Sequence, residues 1–140
     1  MERRFIHNKT DVKLWLEKAK DDVLWAKSSF KDGFYSPVCF VAQQIAEKAL
    51  KAIVFSLQKD FTPAEIKERR THNLKNLLKI INKDVNVPEK INKLCINLDR
   101  FYLPTRYPDV PDPVGTYTKD IAKKAIENSE VVVEFVEKKI

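Results

Sequence analysis

The segment from Pro37 to Leu57 restricts what this chain can fold into more than any other. Placed on a helix, Val38, Val41, Ala42, Ile45, Ala46, Ala49, Ile53 and Val54 cover more than half of the circumference. A helix apolar over so wide an arc has to be enclosed on several sides, as the centre of a bundle or as part of an oligomer interface. Ser36 and Pro37 read as its N-cap and first helical position. Gln43 and Gln44 fall in its first half, and Glu47 lies one turn before Lys51, the spacing at which opposite charges pair.

The flanking segments carry narrower stripes. Thr10 is positioned to cap a helix from about Asp11 to Phe30, in which Trp15, Ala19, Val23, Ala26 and Phe30 form one continuous apolar line, and Gly33 suits its stop. Residues Gln58 to Arg70 form a polar connection in which Thr62-Pro63-Ala64-Glu65 is a capping-box pattern able to start one short helix. Thr71 or Asn73 caps a third helix that buries Leu74, Leu77, Leu78 and Ile81. Pro88 opens a fourth, with Ile91, Leu94, Cys95, Leu98 and Tyr102 inward and Pro104 as its stop. A fifth runs from about Thr118 to Lys138 over Ala122, Ala125, Ser129, Val132, Val133 and Val136. No strand-like alternation or internal repeat stands out, and two glycines in 140 residues disfavour a β-sandwich or barrel with many tight turns. The expectation is an all-α fold, an up-and-down bundle of about five helices forming one domain over residues 1–140.

Several chemistries are removed by what the chain lacks. Gly33 and Gly115 are isolated, so neither a P-loop nor a dinucleotide fingerprint is present, and there is no Gly-x-Ser-x-Gly elbow. His7 and His72 are the only histidines and make no ligand pair with Cys39 or Cys95, so no metal and no cofactor are expected. The two cysteines sit among apolar residues and read as buried reduced thiols. Met1 to Asn8 lack the apolar run of a signal peptide and no stretch reaches the length of a membrane span, which places the expected protein in the cytoplasm. A net charge of +6 and a pI near 9.3 give modest support for contact with polyanions.

Charge gathers in two places. Lys67, Arg69, Arg70, His72 and Lys75 enter the third helix, where free N–H groups favour an anion; the alternative is a solvated helix start. The stretch from Asp99 to Pro113 carries Arg100, Arg106, Tyr102, Tyr107 and four of the seven prolines, which stiffen it. Its arginines can hold a phosphate, or can be occupied by Asp99, Asp109 and Asp112 in an internal network. Tyr102 continues the apolar stripe and reads as a packing residue.

Phe40-x-x-Gln43-Gln44-x-Ala46-Glu47-Lys48-x-Leu50-Lys51-Ala52 resembles the signature of the HEPN family. Thr71-His72-Asn73-Leu74, Arg106-Tyr107-Pro108-Asp109 and the earlier Ala19, Asp22 and Ala26 fit the same family in the same order. The resemblance implies a helical homodimer that binds nucleotide or RNA, commonly beside a minimal nucleotidyltransferase as toxin and antitoxin. With the two charge clusters, it leads to an expected ligand site at Arg100, Arg106, Tyr107, Asp109, His72 and Lys75, anchored by Arg106. Active members are metal-independent ribonucleases with an arginine followed, after four to six residues, by a histidine. Arg106 matches as the candidate catalytic arginine, but the histidine positions hold Pro111, Asp112 and Pro113. Binding without cleavage is therefore the leading expectation, with a ligand-free interaction module and a ribonuclease of atypical acid–base residues as alternatives.

Overall fold

The structure, a computed structural model, describes residues 9–102 and 117–140. Among them are six helices: α1 (Lys9–Lys31), α2 (Tyr35–Ser56), α3 (Pro63–Glu68), α4 (Leu74–Ile81), α5 (Glu89–Asp99) and α6 (Lys119–Lys139). The all-α bundle is as the apolar stripes require, the short α3 being the one-turn helix of the capping box.

Helix α2 is the centre, packed by α1, α6, α4 and α5. Its buried residues include every member of the apolar arc together with Gln43, Glu47 and Lys51. Against it α1 lays Ala19, Val23 and Ala26, with Trp15 and Phe30 partly buried at the two ends of the same line. Trp15 meets Phe55 near one end of the α1–α2 pair, and Asp22 takes the Lys48 ammonium further along, so the two helices run antiparallel. Lys20 pairs with Glu137 and Lys27 with Glu130, which makes α6 antiparallel to α1 as well. Thr118 caps α6 through the Ile121 amide, and all six of the residues expected on its inner face are buried.

Helix ends account for most departures from expectation. Helix α1 is already under way at Lys9, so Thr10 stands inside it and is not its cap; threonine costs a helix only a few tenths of a kcal/mol, roughly. Gly33 does end it, at a φ of 85°, with its amide on the Phe30 carbonyl and the Phe34 amide on that of Ser29. Helix α2 then starts at Tyr35, two residues before Pro37, with Phe34 at the cap and no side-chain capping bond. Pro37 is tolerated because the first four amides of a helix have no internal acceptor, so the missing N–H is not missed. Helix α5 stops at Asp99, where Arg100 caps it and the Phe101 amide turns back to Leu98; the stop assigned to Pro104 lies outside the described residues.

The Thr62–Glu65 capping box forms with both of its bonds, Glu65 N–H to Thr62 Oγ1 at 3.1 Å and Thr62 N–H to Glu65 Oε1 at 3.0 Å. The Glu65 carboxylate also accepts from Lys83 and Lys59. The Thr62 amide, then the Lys83 ammonium, hold its pKa down at about 2 against an ordinary 4.5. Ionised Glu65 therefore favours the fold above pH 4.5, and that contribution is lost as pH falls toward 2. Thermal melting should show Glu65→Gln less stable than wild type at pH 6, with the gap closing over that acid window. Thr62→Ala should cost about 1 kcal/mol at neutral pH.

Candidate functional site

Three polar side chains on α2, Gln43, Glu47 and Lys51, follow one another at spacings of four and so share one line along the helix. Apolar neighbours bury all three, and each must find a partner inside the fold. Lys51 Nζ donates to Glu47 Oε2 at 2.9 Å, the pair that the spacing implied. The same oxygen lies 3.0 Å from His72 Nδ1. Gln43 Nε2 donates to the His72 carbonyl at 2.7 Å and to Asp99 Oδ1 at 3.3 Å. Helix α2 thus holds the turn before α4 by both the backbone and the ring of His72.

Asp99, at the end of α5, closes the arrangement. Its Oδ1 accepts the Leu74 amide at 2.9 Å and its Oδ2 the Lys75 amide at 3.1 Å, while Asn73 Oδ1 takes the Asn76 amide at 3.1 Å. A carboxylate from another helix therefore occupies the start of α4, satisfying its N–H groups and its dipole. Burial pushes the Asp99 carboxyl above its ordinary range, against the pull of the Leu74 and Lys75 amides and Gln43, and nearby Glu47 adds to the rise. Burial, with Asp99 one turn away, also raises the Cys95 thiol to about 12, which leaves it unreactive.

This end of the bundle bears a cleft of about 360 Å³ lined by Thr71, His72, Asn73, Asp99 and Tyr102. The rings of His72 and Tyr102 stack at 5.6 Å with 16° between their planes, and Tyr102 also rests at 6.0 Å from Phe40 of α2. The His72 side chain stays 59% exposed although one nitrogen is anchored. Glu47 engages Nδ1, and among the described residues Nε2 has no hydrogen-bond partner. A second groove of about 400 Å³, between Asp11, Leu14, Trp15 and Phe55, carries none of the expected site residues.

The expected residues distribute as follows. His72 lines the cleft, and Lys75 lies one helical turn beyond, exposed, with only its backbone N–H engaged there. Arg100 is exposed at the end of α5, its guanidinium 5.5 Å from the Phe101 ring centre, and Asp99 does not pair with it. Among the described residues Asp99 pairs with no arginine, because the α4 amides take it instead. The anion-ready start of the third helix is corrected for the same reason. Arg106, Tyr107, Asp109 and Asp112 lie outside the described residues. Arg69 leaves the exposed basic cluster: it is buried, its guanidinium 5.3 and 5.1 Å from the Phe55 and Phe61 ring centres, and burial lowers its pKa. Gln43, Asp99 as a cap, and Tyr102 as a stacking partner are what the sequence reading missed. The i, i+4, i+8 run of Gln43, Glu47 and Lys51 on an otherwise apolar helix is the signal that could have found the first.

Fold and cleft together define a class: an antiparallel helical bundle whose central helix carries a polar line to one end. The chain belongs to the HEPN domain family, whose model matches residues 12–139. Among solved structures it is similar to TT1696 from Thermus thermophilus, at 32% identity and a TM-score of 0.77, covering 92% of this chain and 98% of that one. It is also similar to ST0689, an archaeal HEPN homologue, at 30% identity and a TM-score of 0.67, over 91% of this chain and 96% of that one. No curated protein matches. Among the described residues, no helix is long and apolar enough to cross a membrane.

Removing the Asp99 carboxylate strands two backbone amides and takes from Gln43 Nε2 the weaker of its two hydrogen bonds. Asp99→Ala should destabilise the fold by about 1–3 kcal/mol in denaturant titration. Asp99→Asn, which keeps one acceptor oxygen, should lose less.

Proposed function

We propose that this chain is a HEPN subunit that binds nucleotide or RNA, acting as a homodimer beside a minimal nucleotidyltransferase in a toxin–antitoxin-like pair. The observation that carries the reading is the cleft where His72 and Tyr102 stack beside Asp99. Exposed Lys75 and Arg100 lie next to its lining residues in sequence, and Arg106 follows Tyr102 by four residues. Flat rings with cations nearby suit a ligand that is part heterocycle and part phosphate. The dimer is supported by family membership and by exposed apolar side chains such as Leu24, Trp25 and Phe34. Calorimetry with ATP and a short single-stranded RNA should give saturable binding that Arg106→Ala weakens at least about tenfold, as loss of a charge-assisted phosphate contact does. Unchanged affinity in that variant would remove the Arg106 segment from the site. Sedimentation of the 16.3 kDa chain should give twice that mass.

One observation favours a second reading, a metal-independent ribonuclease. Glu47 orients His72 through Nδ1 and leaves Nε2 free, the arrangement in which a carboxylate sets up an imidazole for proton transfer. Cleavage of RNA with chelator present, lost in His72→Gln, would establish that reading; equal cleavage by both proteins would sink it.

A further inference from the structure

The lining of the cleft says which part of a nucleotide it can hold. A carboxylate offers about four lone-pair sites. Among the described residues Asp99 uses three, two on Oδ1 for the Leu74 amide and Gln43 and one on Oδ2 for the Lys75 amide, so one acceptor site on Oδ2 is left in a residue that lines the cleft. The amides a phosphate would seek at the start of α4 are already bonded to Asp99 and Asn73. A phosphate inside would also face Asp99 and, behind His72, Glu47. The described lining therefore meets the anionic part of a nucleotide with the charge of Asp99 and with backbone amides already taken.

It accommodates the other part. His72 and Tyr102 already form a two-ring stack, and the exposed imidazole offers a flat surface on which a third ring can extend it. Thr71 Oγ1 accepts the Asn73 amide, which leaves its hydroxyl proton to donate; Asn73 Oδ1 is used on Asn76, which leaves its side-chain NH₂. One acceptor and two kinds of donor around a flat surface match the edge of a base that carries an amino group next to a ring nitrogen. The volume, about 360 Å³, takes a base with part of its ribose.

Building on the nucleotide-binding reading, we propose that the cleft receives the nucleobase of the ligand, an amino-bearing heterocycle such as adenine. The base stacks on His72 and places its N–H on Asp99 Oδ2, while the phosphates stay outside among the exposed cations. His72 then acts chiefly as a stacking surface, and Glu47 holds that surface in place.

Calorimetry of the full chain with AMP, ribose 5-phosphate and purine riboside 5′-monophosphate tests this on wild-type protein, with no risk of misfolding. AMP should bind, ribose 5-phosphate should bind at least about tenfold more weakly for want of a ring, and the purine riboside nucleotide about tenfold more weakly for want of the amino group. His72→Phe, which keeps a ring, should hold AMP within about threefold of wild type, while His72→Ala should lose about tenfold, both checked for native helicity. Ribose 5-phosphate binding as tightly as AMP would overturn the base placement and leave the nucleotide-binding reading intact. So would His72→Phe losing as much as His72→Ala. Absence of binding by ATP, AMP and RNA alike would overturn both.

Discussion

A helix buried over most of its surface can carry polar side chains there only if each finds a partner inside the fold. Helix α2 meets that condition along a single line. Lys51 is held by Glu47, Glu47 by Lys51 and His72, and Gln43 by the His72 carbonyl and Asp99. Replacing these groups with apolar ones would leave α2 equally well buried, so hydrophobic packing alone does not explain them. They join α2 to the turn before α4 and to the end of α5, which lie 29 and 56 residues from Gln43 in the chain. The cleft depends on that junction because His72 and Asp99, two of its walls, are the residues α2 holds.

What can be read from the sequence follows from how far each interaction reaches along the chain. The stripe of α1, the Glu47–Lys51 pair and the Thr62–Glu65 box each involve residues a few positions apart, so spacing alone exposes them. Leu74, Leu77, Leu78 and Ile81 are buried as their periodicity requires. The start of α2 departs from expectation because Ser36-Pro37 is a strong local signal, yet the tight Gly33 turn lets the helix begin before it. The candidate site is only half legible. His72 is identifiable as a lone histidine at a helix start, whereas its Glu47 partner lies 25 residues away and nothing local points to it. Asp99 sits beside Arg100 in the chain and invites an ion pair, but the fold directs it 25 residues back to the Leu74 amide. Arg69 misleads for the opposite reason. A cation in a polar run looks solvated until two phenylalanines close over it.

The Asp99 contact also changes the electrostatics expected of this end of the molecule. A free helix start is a place for anions, and a basic chain with such a site suggests direct phosphate capture. Here the protein supplies the anion itself. The partial positive charge of α4 is spent on Asp99, and what faces the cleft is an acceptor edge beside two stacked rings. In the proposed binding mode, net positive charge would still draw a polyanion toward the surface, while the cleft would select by shape and hydrogen bonding. Attraction and recognition are then carried by different groups.

Asp99 is at once the cap of α4, the partner of Gln43 and a wall of the cleft, and burial already raises the cost of its charge. A further N–H donated to its remaining lone pair would favour the ionised form, strengthening the cap by the same contact that binds the ligand. A ligand that offers only negative charge would do the reverse, pushing the carboxyl toward protonation and weakening its hold on the Leu74 and Lys75 amides. In the proposed binding mode, the residue that joins α5 to α4 would therefore discriminate between ligands through the stability of the junction it makes.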